Sequence, residues 1–323
     1  MLANNNEAII NKLAKNSVKT NKKQYAILFF TIILSAFMLF CVFTIGMTYL
    51  DSSRLQNTRL NGAEYDILTM NGFTSEQLNT LRQNENIRSV GIESYAGFIQ
   101  STEYDKTVEI GLLWCDEVFW DNLMSPARTK LDGHYPQNKN ELMVTKDILK
   151  TCGNENLSVG DSLILTYENN TGVYTDEFII SGIWDGYGDT SAGFVSKAFY
   201  DETGYDLKND GILCIKLNRN YVFPATIQSI EKSLDFSDRQ IFAPTGYIEN
   251  SFKLLLGICG LALVICLSAY LLIYNILYLS VSGKIRYYGL LQSLGMTKKQ
   301  LVHFIIKQMI LVGILGIFLS LIH

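Results

Sequence analysis

The sequence predicts a membrane protein in which transmembrane α-helices carry a large extracytoplasmic α+β domain. Three observations predict it. Two long stretches of the 323-residue chain hold no charged residue, 27 residues between Lys23 and Asp51 and 30 between Lys253 and Lys284. The formal charge of -4 is unevenly spread, with +4 on residues 1–24, -14 on residues 51–250 and +5 on residues 281–307. The 200 residues between the uncharged stretches mix period-2 apolar runs with short helical patterns, as an α+β domain does. At 48% hydrophobic and 18% charged, the chain is too apolar for a disordered protein. Its acidic balance excludes an overall basic nucleic-acid binder, and no nucleic acid is expected as a partner.

Residues 1–24 hold five lysines (Lys12, Lys15, Lys19, Lys22, Lys23) against one acid, Glu7. Ile9 or Ile10, Leu13 or Ala14, and Ser17 form a weakly apolar face opposite the lysines. This segment is expected to be a cytoplasmic amphipathic helix on the membrane surface. Residues 25–50 are expected to be the first transmembrane helix, because ~20 apolar residues cross a hydrocarbon core of ~30 Å. The run is far longer than the apolar region of a signal peptide, and no small-x-small cleavage site precedes Asp51. It reads as an uncleaved signal anchor. Residues 254–280 meet the same length test as the second transmembrane helix. Basic residues flank both runs on one side, so the positive-inside rule puts the N-terminus and residues 281–299 in the cytoplasm and residues 51–250 outside. The expected location is the cell membrane, as a multi-pass protein. Residues 300–323 read as the start of a third transmembrane helix, cut short at His323.

Within residues 51–250, strands are expected at 65–70, 93–100, 107–114, 141–145, 162–167, 174–184 and 212–217. Helices are expected at 75–84, capped by Thr74 or Ser75, and at 117–123, 146–151 and 224–234. GluAsnAsnThrGly at 168–172 is a turn-rich link that makes its flanking strands a hairpin. Trp114, Trp120 and Trp184 all fall in this domain as core or groove material. Its acidic surface keeps an extracellular domain soluble; long-range attraction of cationic peptides is the alternative reading. Asp185 and Asp189 sit among glycines at 184–193 without the acidic spacing or closing Glu of a calcium loop.

No catalytic residue, cofactor or metal site is expected. The chain has three histidines and no HExxH, GxSxG or phosphate-binding glycine loop. Cys41, Cys259 and Cys266 lie in the apolar runs, leaving Cys115, Cys152 and Cys214 outside. That odd number fits one bridge with a free thiol, or three buried thiols.

The most informative stretch follows the second apolar run. Lys284 to Leu294 reads as a short helix with Tyr287, Leu290 (or Leu291) and Leu294 on one face, and with Lys284 and Arg286 off it. Gly295 stands where a helix terminator belongs. Thr297 and Gln300 then form a capping-box pattern that opens the next helix. A basic loop anchored at the membrane interface fits this pattern, and so does a docking element for a cytosolic partner.

LysIleArgTyrTyrGlyLeuLeuGlnSerLeuGlyMetThrLysLysGlnLeu (284–301) resembles the motif after the second span in FtsX-like, or MacB-type, ABC transporter permeases. The matching positions are Arg286, Gly289, Leu290, Leu291, Leu294, Gly295, Lys298 and Lys299. GlyHisTyrProGlnAsnLysAsnGluLeuMetValThrLys (133–146) and SerValGlyAspSerLeuIleLeu (158–165) resemble the external core domain of that family. The resemblance implies a permease subunit, not itself an enzyme, whose cytosolic ABC ATPase partner binds the ATP. It implies an ATPase-coupling segment made of Lys284, Arg286, Tyr287, Tyr288, Gly289, Leu290, Leu291, Leu294, Gly295, Lys298 and Lys299. It also implies a second permease protomer, or a C-terminal permease half beyond His323, and movement of the outer domain to export or release a peptide, antibiotic or lipid-linked substrate. Two positions depart from the family: many members carry an acid where Tyr288 stands, and many carry Glu near Gln308. A non-transporting sensor or hydrolase regulator of the same architecture is the alternative, and a membrane-anchored extracellular enzyme a more distant one. Gly257, Gly260, Ala262, Ser268 and Ala269 give the second helix a small-residue face suited to close packing, as do Gly313 and Gly316 for the third.

Overall fold

The computed structural model of the chain describes residues 7–100, 110–187 and 192–320. Helix α1 (Glu7–Thr20) is followed after one residue by α2 (Lys22–Asn61), which continues well past the apolar run. Then come β1 (Ile67–Met70), α3 (Ser75–Gln83), β2 (Ile87–Ile99), β3 (Ile110–Cys115), β4 (Arg128–Gly133), β5 (Glu141–Thr145) and α4 (Lys146–Thr151). The series continues with β6 (Ser162–Asn169), β7 (Gly172–Gly186), β8 (Ala192–Val195), α5 (Lys197–Tyr200), α6 (Leu207–Asp210), β9 (Ile212–Leu217), α7 (Pro224–Ser233) and β10 (Ile241–Pro244). Three helices complete it: α8 (Gly246–Ser282), α9 (Ile285–Ser293) and α10 (Lys298–Ser320). The chain divides into two compact units, one of residues Leu50–Leu254 and one of Met1–Tyr49 with Leu255–His323.

The Leu50–Leu254 unit is an α+β domain. Its strands form one mixed sheet in the order β10-β1-β9-β2-β3-β8-β5-β7-β4, with β6 pairing both β2 and β7. Most pairs are antiparallel, but β3 with β8 and β5 with β7 run parallel. Alternation along the strands supplies a core on each face of the sheet. In β5, Leu142 and Val144 join Ile67, Leu112, Phe178 and Ile215 on one side, while Met143 joins Phe119, Trp120, Trp184 and Phe194 on the other. Trp114 lies in the first core, and Trp120 and Trp184 in the second.

Strands β5 and β9 and helix α4 occupy the residues their patterns predict. Helix α3 opens with the expected Thr74 cap, closed as a full capping box by Gln77. Strand β2 starts six residues earlier than expected, at Ile87. The first residues of the strand expected at 107–114 lie outside the described residues, as does Asp189. Residues 118–123 are π-helical rather than α-helical, and the Met124 N–H bonds the Phe119 carbonyl at 2.8 Å. Three strands carry no alternating pattern to read. β4 is polar and mostly exposed, β8 has four residues, and β10 ends in Pro244 at the sheet edge, where a missing N–H is tolerated. Gly133 ends β4 at φ +87°, and a Cβ there would stand 2.2 Å from the Ser181 carbonyl oxygen, so glycine is required.

The other unit is helical. α2 and α8 are each long and apolar enough to cross a membrane, and their apolar windows are almost wholly unburied. Phe30, Leu34, Phe40 and Ile45 on α2, and Leu263, Leu267 and Leu271 on α8, are all exposed. Helices apolar around their whole circumference are at home in lipid. Of the small-residue face expected on α8, Ala262 is buried but the glycines do not make the closest approach. A Cβ on Gly257 or Gly260 would meet nothing within 4 Å, whereas one on Gly46 of α2 would stand 2.7 Å from the Ile258 side chain. The glycine that permits the close approach is on the first helix.

Candidate coupling site

Helix α9 is cut to length by two local devices. At its end, the Gly295 N–H bonds the Gln292 carbonyl at 3.0 Å, and the Met296 N–H bonds the Leu291 carbonyl at 3.1 Å. Gly295 adopts φ +98°. Together these make a Schellman stop, which glycine satisfies without a Cβ clash. One residue later the Thr297 hydroxyl accepts the Gln300 N–H at 3.3 Å, and the Gln300 side chain accepts the Thr297 N–H at 3.0 Å. This is the capping box that opens α10.

The helix is held from one side. Tyr288 is only 7% exposed and clusters with Ile10 and Ala14 of α1 and with Phe304 of α10. Leu291 packs at the edge of the same cluster with Leu13 and Leu301. The face of α1 formed by Ile10, Leu13 and Ala14 is therefore spent on protein, whereas the sequence led us to expect it on the membrane surface. Glu7 and His303 stand 3.8 Å apart across the same helix pair. Burial pushes the Tyr288 hydroxyl up to about 12, so it is a neutral anchor.

The opposite side is open. Tyr287 is 41% exposed, Leu290 63% and Leu294 84%. At 100° per residue these three fall within about 60° of one another on the helix. Arg286, Gly289, Lys298 and Lys299 are also exposed. The structure thus resolves the choice between Leu290 and Leu291: Leu290 faces out and Leu291 faces in. Tyr288, the position where many members of the resembled family carry an acid, is turned into the helix cluster. Lys284 precedes the helix half-buried, with its Nζ 5.5 Å from the centre of the Tyr25 ring and no hydrogen-bond partner among the described residues. Burial lowers its ammonium pKa.

Sequence reasoning passed over Ile285, which is 66% exposed on the side of the helix away from this face, and over Phe304, the fully buried residue under Tyr288. It also missed that Gln308 accepts a hydrogen bond from the Tyr25 hydroxyl. An amide at the head of the apolar run that follows Lys307 was the available signal.

Two helices long and apolar enough to cross a membrane, an α+β unit and a short two-faced helix are the features on which the chain can be compared with known proteins. Residues 259–323 match the family model described as FtsX-like permease C-terminal. No curated protein matches the chain. Among solved structures, the chain is similar to the periplasmic region of MacB from Actinobacillus actinomycetemcomitans, at 13% identity and a TM-score of 0.40, covering 60% of this chain and 95% of that one. It is also similar to the extracellular domain of the noncanonic ABC-type transporter YknZ from Gram-positive bacteria, at 12% identity and a TM-score of 0.36, covering 55% and 98% respectively.

Proposed function

We propose that this permease couples ATP hydrolysis in a cytosolic ABC ATPase to movement of its outer domain, and that α9 is the element the ATPase grips. The observation that carries the reading is the open face of Tyr287, Leu290 and Leu294 on a helix anchored from behind by Tyr288. Contiguous exposed apolar residues rimmed by basic ones mark a protein contact. Arg286, Lys298 and Lys299 supply charge around the face. Lys284, Tyr288, Leu291 and Gly295 act behind it by fixing its position. The N-terminus and residues 281–299 lie in the cytoplasm and residues 51–250 outside, as the basic flanks require. ATP binds the partner subunit, and a second permease protomer or a further permease half completes the transporter. The work done is export or release of a peptide, antibiotic or lipid-linked substrate.

The test is co-purification of the ATPase with the full chain from membranes. Leu290→Asp with Leu294→Asp is expected to abolish it while leaving the permease folded and inserted. Undiminished co-purification would remove α9 from the coupling role.

A further inference from the structure

A cavity of about 190 Å³ opens beside the hairpin of β6 and β7 in the outer unit. Tyr167 and Tyr174 face each other directly across the two strands, so both rings stand on one face, with centroids 6.0 Å apart. Asp176 lies two residues beyond Tyr174 and shares that face. One of its carboxylate oxygens accepts the Tyr167 hydroxyl at 2.6 Å. Phe199, from α5, forms another wall, its ring centroid 5.4 Å from that of Tyr167. Glu202 and Lys139 stand at the mouth, both exposed, and their side chains pair with each other.

We propose that this cavity binds an organic ammonium group. The rings of Tyr167, Tyr174 and Phe199 line the cavity, Tyr174 being the exposed one, and an aromatic ring attracts a cation through the negative side of its quadrupole. Asp176 and Glu202 add the opposite charge, and the acidic balance of residues 51–250 raises the local concentration of cations. Lys139 already brings an ammonium to Glu202, so the mouth holds an internal cation. A surface pair of this kind is weakly held, and an incoming ammonium replaces it. The ligand group is a quaternary ammonium, as in a choline headgroup, or a primary amine, as in a lysine side chain. The site belongs to the outer unit and does not depend on the role of α9.

Calorimetric titration of the full chain in detergent tests this, with choline and N-acetyl-lysine methylamide as probes and neutral 3,3-dimethylbutanol as the uncharged match for choline. Saturable binding of either cation without binding of the alcohol is expected, and the two cation arms separate a headgroup from a peptide source. Lys139→Ala removes the competing cation and is expected to tighten binding about threefold or more. Asp176→Asn keeps an acceptor for Tyr167 and is expected to weaken binding about fivefold or more, and Tyr174→Leu to weaken it similarly. Equal binding of the alcohol, unchanged affinity in Lys139→Ala, or no saturable binding in any of the proteins would overturn the proposal. Tightening on loss of a lysine separates ligand competition from a merely structural role for the pair.

Discussion

The Tyr25 hydroxyl donates a hydrogen bond to Gln308 Oε1, tying the start of the first apolar helix to α10 across 283 residues of sequence. Gln308 is 2% exposed, and its Nε2 has no partner among the described residues. A polar bond between helices in an apolar setting contributes about 0.6–2 kcal/mol. Tyr25→Phe leaves a buried amide unpaired and is expected to destabilise the helical unit by about 1 kcal/mol, whereas adding Gln308→Leu is expected to recover most of that. Thermal unfolding of the four proteins of this double-mutant cycle in one detergent measures it.

Gly295→Ala is the conservative probe of the Schellman stop. Open space surrounds the position, so no clash arises and the cost is conformational alone. At a positive φ that cost is about 1 kcal/mol. The expected result is faster amide exchange in residues 285–296, with exchange in the α+β unit unchanged.

Glu93 makes the α+β unit sensitive to pH. Burial pushes its carboxyl up to about 7. The same face of β2 and its neighbours carries Cys115 and Cys214, whose thiols burial also pushes up. The folded state therefore keeps a proton that the unfolded chain releases. This contribution to stability is complete below the unfolded value, falls as pH rises from about 4.5 to about 7, and is then constant. The loss is roughly 3 kcal/mol. Denaturant unfolding at pH 5 and pH 8 is expected to show lower stability at pH 8, and Glu93→Gln is expected to remove much of the difference.

Lys216 is a buried cation, 4% exposed, with its Nζ 3.1 Å from Glu64 and 3.2 Å from Asp66. Asp66 also accepts the Leu217 N–H at 2.9 Å, so the group ties β9 to the chain just before β1. Removing one partner of a buried pair strands the other charge, and Lys216→Met is expected to cost about 3–5 kcal/mol. Asp66→Asn keeps an acceptor and is expected to cost less. The two midpoints in a thermal unfolding series give the comparison.

Much of this architecture was legible because its signals are local. An uncharged run longer than a bilayer, a Thr-x-x-Gln box and a Gly at a helix stop are each written in a few adjacent residues. Strands β5 and β9 read well because apolar, β-branched residues fill them. β4 did not, since ArgThrLysLeuAspGly has neither alternation nor burial and is a strand only because β7 lies beside it. The face of α9 was only half legible. Apolar residues surround most of that short helix, so its own period cannot say whether Leu290 or Leu291 points outward. Ile10, Ala14 and Phe304 decide, and they come from distant parts of the chain. The role of Gly46 was hidden for the same reason, because its contact, Ile258, is more than 200 residues away.

The most direct measurement is site-specific photocrosslinking in intact cells, with the reactive residue placed in turn at Leu290, at Tyr288 and at Ile164 of the outer unit. If α9 docks the ATPase through its open face, Leu290 captures the ATPase, Tyr288 captures only the permease itself, and Ile164 captures no cytosolic protein. Capture of the ATPase from Ile164, or from neither position on α9, would contradict the account.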